Sequence, residues 1–150
     1  MLTLKDAGNE ALKLELFDLA ARRYDKAIQY GAVASMEIVG DSLGFANEQR
    51  LELQACGGFI AEWRPLLKVL IICRLNLALL MLKPWFMRYN HTMEQCQLAL
   101  QELNVFCTAK AKKKLSEEMY IDIMSLRAKA YFRLGSAQSA TGRYLSLIHI

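Results

Sequence analysis

Polar side chains at the spacing of a helical turn open the chain and offer the chemistry of peptide recognition. Lys5, Asn9 and Lys13 follow one another at four-residue intervals, so in a helix they project from one face. An asparagine amide can hold a peptide main chain, and a lysine ammonium pairs with a carboxylate through a charge-assisted hydrogen bond. Asn76 is a further candidate, within an apolar segment. The simpler alternative makes Lys5 and Asn9 surface residues and Asn76 a hydrogen-bonded interior amide.

Residue sets for catalysis or metal binding are missing from the sequence. It contains no Ser/His/Asp or Cys/His set with supporting context, no glycine-rich phosphate loop and no paired-histidine motif. None of the four cysteines makes a C-x-x-C pair, and only His91 and His149 are available as histidine ligands. We therefore expect no enzyme activity, catalytic residue, metal or cofactor in this segment. Cys73 and Cys96 lie in apolar helical stretches and are expected in the core.

Composition favours one helical domain. A chain of 150 residues has the length of a single domain, and 54% apolar residues with only two prolines suit helices rather than a sandwich or barrel. The net charge of +4 is mild and does not indicate nucleic-acid binding. We interpret the lysine-rich run 110–114 as a solvated linker or helix end rather than a phosphate-binding patch. Unpaired cysteines and the absence of a signal peptide predict a cytoplasmic location.

The segment 66–82 is apolar enough to raise the question of membrane insertion. Lys68, Arg74 and Asn76 interrupt it, and it is short for a bilayer span of about 20 residues. We predict a buried core helix rather than a transmembrane segment, and therefore no membrane partner.

Start and stop signals predict a helical pair in the first quarter of the chain. Thr3 and Asp6 form a plausible capping box at the start of a helix that runs to about residue 14. A second helix is predicted over 17–39. Several glycines follow, so we assign residues 40–64 to an inserted segment.

Two further helical regions follow the inserted segment. Pro65 suits the first turn of a helix over 65–83, and another helix is predicted over 87–103. Ser116, followed by two glutamates, is a good helix start because carboxylates favour the positive end of the helix dipole. It opens a third region, 116–150, which stops short of a complete pair.

Small and aromatic residues recur at fixed spacings in the first helical pair. Ala20, Tyr24 and Ala27 fall on one face of the second helix, and Gly8 lies on the first. Two helices approach closely only where side chains are small, so we expect Gly8 to contact Ala20. Tyr24 and Phe17 would then fill the remaining space.

This pattern resembles the tetratricopeptide repeat, a helix–turn–helix unit of about 34 residues; the alternative is an ordinary amphipathic helical hairpin. The resemblance implies an all-α solenoid of antiparallel helix pairs, with about three units and the last one truncated. Glu15 departs from the pattern, because a turn glycine is usual there. Within a single domain, 1–150, the units would be repeat 1 at about 3–39, the inserted segment 40–64, repeat 2 at about 65–103 and an incomplete repeat 3 at about 116–150.

The Lys-x-x-Gly-Asn opening and the Leu-Asn-Leu-Ala sequence around Asn76 resemble the carboxy-terminal repeat domains of FKBP-type immunophilins and large cyclophilins. Such co-chaperone domains bind the acidic Glu-Glu-Val-Asp tail of heat-shock chaperones with a carboxylate clamp. The resemblance implies that Lys5 pairs with the terminal carboxylates. Asn9 and Asn76 would hydrogen-bond the carboxylate or the peptide main chain, and Lys13 continues the row.

One part of that clamp is missing at the expected place. The family carries a lysine and an arginine, four residues apart, on the first helix of the third unit, and we align Asp122 and Leu126 with those positions. Losing a charge-assisted hydrogen bond costs about 1.5–3 kcal/mol, so we expect weakened or altered binding of the standard tail.

Two other functions remain open at this stage. One is a scaffold or self-association module, because the inserted segment and the apolar end 145–150 would bury surface against another chain. The other is the non-catalytic part of a peptidyl-prolyl isomerase, with its catalytic domain outside this segment.

Overall fold

The computed structural model describes residues 2–39, 60–84, 86–107 and 115–148, and all regular structure in these ranges is helical. The predicted all-α class is therefore confirmed. Most of the predicted inserted segment, 40–64, lies outside the described residues. The helices are α1 (Leu2–Lys13), α2 (Phe17–Val39), α3 (Ile60–Met81), α4 (Tyr89–Asn104) and α5 (Glu117–Ile148), and a short 3-10 helix, Val105–Cys107, follows α4.

Each helix packs against the next one along the chain, and smaller contacts join α1 to α3 and α3 to α5. The helix α3 is therefore central, since it touches the other four. Most of its described apolar residues are buried, as predicted for a core helix, although Leu79 is exposed; the buried ones include Leu70, Ile71, Cys73, Leu75 and Leu80. No helix in the described part of the chain is both long and apolar enough to span a membrane.

The first turn of the molecule depends on a left-handed residue. Glu15 has a φ of 58°, and the main-chain N–H of Leu16 donates to the carbonyl of Ala11 at 2.9 Å while that of Glu15 donates to Leu12 at 3.1 Å. These two bonds form a Schellman motif, in which the left-handed position is usually glycine. The turn therefore forms although a glutamate occupies the position where the resemblance expects glycine.

Gly8 admits the ring of Tyr24, whereas we expected it to meet Ala20. A Cβ built on Gly8 would lie 2.7 Å from Cε1 and 2.9 Å from Cδ1 of Tyr24, which are its nearest neighbours. Both Tyr24 and Ala20 are completely buried. The small residue therefore serves close packing, as predicted, but its contact is with the aromatic ring because that ring crosses from α2 onto α1.

The predicted cap at Thr3 is wrong, because α1 already includes Leu2 and Thr3 therefore lies within the helix.

Two further helices begin away from their predicted starts. The helix α3 begins at Ile60, so Pro65 lies past the first turn and withholds one backbone hydrogen bond from the helix. The proline is tolerated within α3 because this helix packs against four other helices. The helix α4 begins at Tyr89 rather than Met87, because Met87 has a left-handed φ of 47° that a right-handed helix excludes.

The predicted start of α5 is confirmed, because the hydroxyl of Ser116 accepts a hydrogen bond from the main-chain N–H of Met119 at 3.3 Å. From Glu117 the backbone continues as one helix to Ile148. Gly135 and Gly142 do not interrupt it, since neither has a positive φ. The predicted third unit is thus a single long helix over its described residues.

Polar groups buried between α3 and α4 are paired. The Arg74 guanidinium donates to both carboxylate oxygens of Glu102, at 2.9 and 3.1 Å, and to the Gln95 carbonyl oxygen at 3.1 Å. Burial raises the pKa of Glu102, and Arg74 opposes that rise. The buried Thr92 hydroxyl donates to the Ala78 carbonyl at 3.1 Å. These bonds fix how α4 sits on α3, because breaking them would strand buried polar groups.

Candidate functional site

Two of the predicted site residues meet across the α1–α3 contact. The side-chain nitrogen of Asn76 donates to the side-chain oxygen of Asn9 at 3.4 Å, although the residues are 67 positions apart in sequence. The Tyr24 hydroxyl donates to the same Asn9 oxygen at 2.6 Å. Both amides are half-buried, so each keeps some access to solvent. We call Lys5, Asn9, Tyr24 and Asn76 the amide cluster.

Lys5 belongs to this cluster because it lies one turn before Asn9 on α1 and faces α3. Burial raises the pKa of the Cys73 thiol to about 11, and the positive charge of Lys5 is the largest effect opposing that rise. Cys73 lies one turn before Asn76 on α3, so the charge of Lys5 acts on the part of α3 that carries the second amide. The Lys5 side chain is only 21% exposed, and its Nζ lies 3.6 Å from the more exposed carboxylate of Asp6. A partly exposed pair at this distance is weak, so the ammonium can exchange this partner for another anion.

Lys13 is not brought into the amide cluster. It is the last residue of α1, and its side chain is 71% exposed. Its ammonium donates to the Glu10 carboxylate at 2.8 Å. That hydrogen bond and the charge of Glu10 raise the pKa of Lys13. The row predicted on α1 therefore reaches the cluster with Lys5 and Asn9 only.

Asp122 and Leu126 have other roles in the structure. The Asp122 carboxylate accepts a hydrogen bond from the Lys68 ammonium at 2.5 Å, and both side chains are about half exposed. Leu126 packs against the core. All three residues line a cavity of 290 Å³ between α3, α4 and α5. Neither α5 residue supplies a positive charge, as the sequence already indicated.

The sequence reading missed Arg133, which reaches α3 beside the amide cluster. One of its terminal nitrogens donates to the main-chain carbonyl of Leu75 at 2.6 Å, immediately before Asn76. Burial lowers the pKa of Arg133, but an arginine remains protonated in proteins. Lys129 is exposed one turn earlier on α5. The sequence signal that points to Arg133 is its spacing of four residues from Lys129, which puts both basic side chains on one face of a helix.

The described residues show no metal centre, since they contain no group of three or more His, Cys, Asp or Glu side chains able to hold an ion. Cys73 and Cys96 are buried free thiols, as predicted, and Cys107 is a partly exposed one. Hydrogen-bond donors dominate the amide cluster and its surroundings: two amides, an ammonium and a guanidinium. Such a set is suited to a carboxylate or a peptide carbonyl.

Comparison with known proteins adds no family assignment. No family model matches the chain, no curated protein matches it, and no solved structure matches it.

Proposed function

We propose that this chain is a protein-interaction module that binds an acidic carboxy-terminal peptide through the amide cluster. The observation that carries the proposal is the hydrogen-bonded meeting of Asn9 and Asn76, 67 residues apart, with the Lys5 ammonium alongside. An ammonium and two amides together match a terminal carboxylate and its neighbouring main chain. Recognition of this kind needs no catalytic group.

The proposal treats the helices as a tetratricopeptide-like stack of antiparallel pairs. In the second pair, α3 and α4, Ala78 contacts Thr92 and Arg74 contacts Gln95. The two helices therefore run antiparallel. Contacts between α3 and α5 run the other way, and a hydrogen bond joins α1 to α3. Asn9 meets Asn76, and the pairs Lys68–Asp122 and Leu75–Arg133 rise together. These directions support a parallel inner layer of first helices, which is where such a stack holds its peptide groove.

The ligand we favour is the Glu-Glu-Val-Asp tail of a heat-shock chaperone, which makes the chain a co-chaperone docking domain. The clamp of that family needs a lysine and an arginine four residues apart on the third unit. We propose Lys129 and Arg133 for that role, two turns beyond Asp122 and Leu126, because Arg133 contacts α3 next to Asn76. The free thiols of the described cysteines support a cytoplasmic location.

A peptide titration tests this function. A fluorescent Glu-Glu-Val-Asp peptide should bind the whole chain saturably, and Lys5→Ala should weaken it roughly 10- to 150-fold, the value of a charge-assisted hydrogen bond. Asn76→Ala should weaken it less, since its hydrogen bond is neutral. Lys13→Ala is the matched control, because that lysine is exposed and paired with Glu10. The absence of saturable binding at millimolar peptide would reject the proposal.

A second candidate function, self-association, is favoured by an exposed uncharged face on α5. Phe132 is 76% exposed and Ile121 60% exposed. The other residues on the same side of the helix, which follow at intervals of three or four, are exposed too. An exposed face of this kind, with two large apolar side chains, suits packing against another helix. The face consists of Ile121, Ser125, Ala128, Phe132, Gly135, Ser139 and Gly142.

Light scattering across a concentration series separates the two functions. Self-association through this face predicts a mass that rises with concentration and falls back to the monomer in Phe132→Ser. Leu14→Ser, which removes a comparably exposed apolar side chain just after α1, should leave the mass unchanged. A strictly monomeric wild-type chain would rule out this second candidate and leave peptide binding in place.

A further inference from the structure

The Tyr24 hydroxyl lies between the two amides of the proposed site without reaching the surface. The tyrosine is completely buried, and its hydroxyl donates to the Asn9 side-chain oxygen at 2.6 Å. Burial raises the pKa of Tyr24, and a hydrogen bond with Asn76 opposes the rise. The buried hydroxyl is therefore bonded to the Asn9 amide, whose oxygen also accepts from the Asn76 amide.

The position of this hydroxyl is fixed by packing on the other side of the ring. Gly8 leaves no space above the ring, since a Cβ there would come within 2.7 Å of it. The ring cannot move towards α1 without a clash, and a buried hydroxyl hydrogen needs an acceptor. Asn9 supplies that acceptor. The tyrosine is thereby held in one place by the helix pair α1–α2.

This arrangement decides which end of the Asn9 amide faces outward. An amide has one oxygen and one NH2 group, and the Asn9 oxygen accepts from both Tyr24 and Asn76. A rotated amide would leave the buried Tyr24 hydroxyl hydrogen without its acceptor, and it would place its NH2 against the Asn76 NH2, donor facing donor. The oxygen is therefore directed inward, and the NH2 is the end left for a ligand.

We propose that Tyr24 is a positioning residue that holds the Asn9 amide with its NH2 group towards the ligand, so that the site selects a carboxylate over a carboxamide. This inference rests on the proposed peptide-binding function and specifies the ligand chemistry of the same site. A carboxylate offers only acceptors to the Asn9 NH2, whereas a carboxamide presents a donor in half of its orientations. Tyr24 exerts this selection without contacting the peptide.

The test compares two Glu-Glu-Val-Asp peptides that differ only in a terminal carboxylate or carboxamide, titrated against the whole chain. Tyr24→Phe keeps the ring under Gly8 and removes the hydroxyl, so only the longer hydrogen bond from Asn76, at 3.4 Å, still holds the Asn9 oxygen inward. The preference for the carboxylate peptide should fall roughly three- to tenfold, the range that one net hydrogen bond is worth. Tyr30→Phe is the control, since Tyr30 lies on the same helix and is 55% exposed.

A double-mutant comparison shows whether Tyr24 acts through Asn9. In an Asn9→Ala background, Tyr24→Phe should change neither affinity, because the amide that it positions is gone. An independent loss of the same size in that background would mean that Tyr24 acts by packing, and would overturn the inference. Asn9→Asp provides a second variant if Tyr24→Phe folds poorly. It keeps both inward hydrogen bonds, offers no donor and adds a negative charge, so the carboxylate peptide should bind more weakly than the carboxamide peptide; an unchanged carboxylate preference would show that the Asn9 NH2 does not meet the ligand.

The inference and the proposed function fail in different ways. Wild-type binding with an unchanged carboxylate preference in Tyr24→Phe overturns the role of Tyr24 and leaves peptide binding standing. No binding by the wild type overturns both. A ligand-free readout is independent of the peptide: in NMR spectra the Asn9 side-chain NH2 should give one sharp pair of signals in the wild type. In Tyr24→Phe that pair should shift and broaden, and unchanged signals would contradict the inference.

Discussion

Tight packing around one glycine links the stability of the first helical pair to the proposed site. Gly8 lies against the ring of Tyr24, and the same tyrosine donates to Asn9. The ring therefore cannot give way to a larger side chain without moving its hydroxyl away from the amide. A single residue on α1 thus affects both packing and the orientation of a side chain proposed to bind peptide.

Gly8→Ala should lower the free energy of unfolding by about 1–2 kcal/mol, because overpacking of the ring outweighs the better helix propensity of alanine. Gly135→Ala is the matched control. A Cβ on Gly135 would meet nothing within 4 Å, so this variant should gain about 0.5–1 kcal/mol. Urea denaturation measures both. Equal effects of the two variants would show that Gly8 has no special contact.

Residue types and spacings predict Lys5, Asn9 and Asn76 as site residues, but they do not predict which side chains contact them. The Tyr24 hydroxyl was overlooked because its position in the helix marked it as a packing residue, which it also is. Arg133 is missed because the family's lysine and arginine positions are aligned with Asp122 and Leu126, two helical turns earlier on α5. Local residue spacing does not predict which helices distant in sequence contact each other, so these contacts are known only from the structure.

At the scale of elements, the end of α1 carries a conformational cost. Glu15 adopts a φ of 58° at the Schellman position, where a side chain costs about 1–2 kcal/mol relative to glycine. The turn still forms because α1 and α2 bury their facing sides, including Ala11, Ala20 and Tyr24, in the core.

Glu15→Gly should therefore stabilise the protein by about 0.5–1 kcal/mol, after the extra entropy of the unfolded glycine is subtracted. The same substitution at Glu10, inside α1, should destabilise by about 1 kcal/mol because the helix interior gains nothing from glycine. Thermal unfolding followed by circular dichroism gives both values. A lower melting temperature for Glu15→Gly would contradict this view of the turn.

Helix boundaries followed the sequence closely where a capping group or glycine marks them, as at Ser116. They deviated where packing competed with a local signal. Pro65 suits the first turn of a helix, yet α3 begins five residues earlier at Ile60. Met87 was placed in a helix, yet its left-handed φ keeps it in the preceding turn. Local propensity is a weak constraint when neighbouring helices supply most of the stability.

At the scale of the whole molecule, the proposed site exists only because α1, α3 and α5 lie side by side. Asn9 and Asn76 come from α1 and α3, and Arg133 reaches α3 from α5. The all-helical class was predictable from composition and periodicity. The order in which helices contact one another was not, because it depends on apolar faces that meet across long stretches of sequence.

The measurement that tests the central claim most directly is an NMR titration of the whole, ¹⁵N-labelled chain with the Glu-Glu-Val-Asp peptide, followed at the side-chain NH2 groups of Asn9 and Asn76. We predict that both pairs of signals shift together and saturate with one affinity, and that Lys5→Ala weakens that affinity while Lys13→Ala does not. Saturable shifts elsewhere in the protein with both amide pairs unmoved would contradict the account, as would the absence of any shift at millimolar peptide.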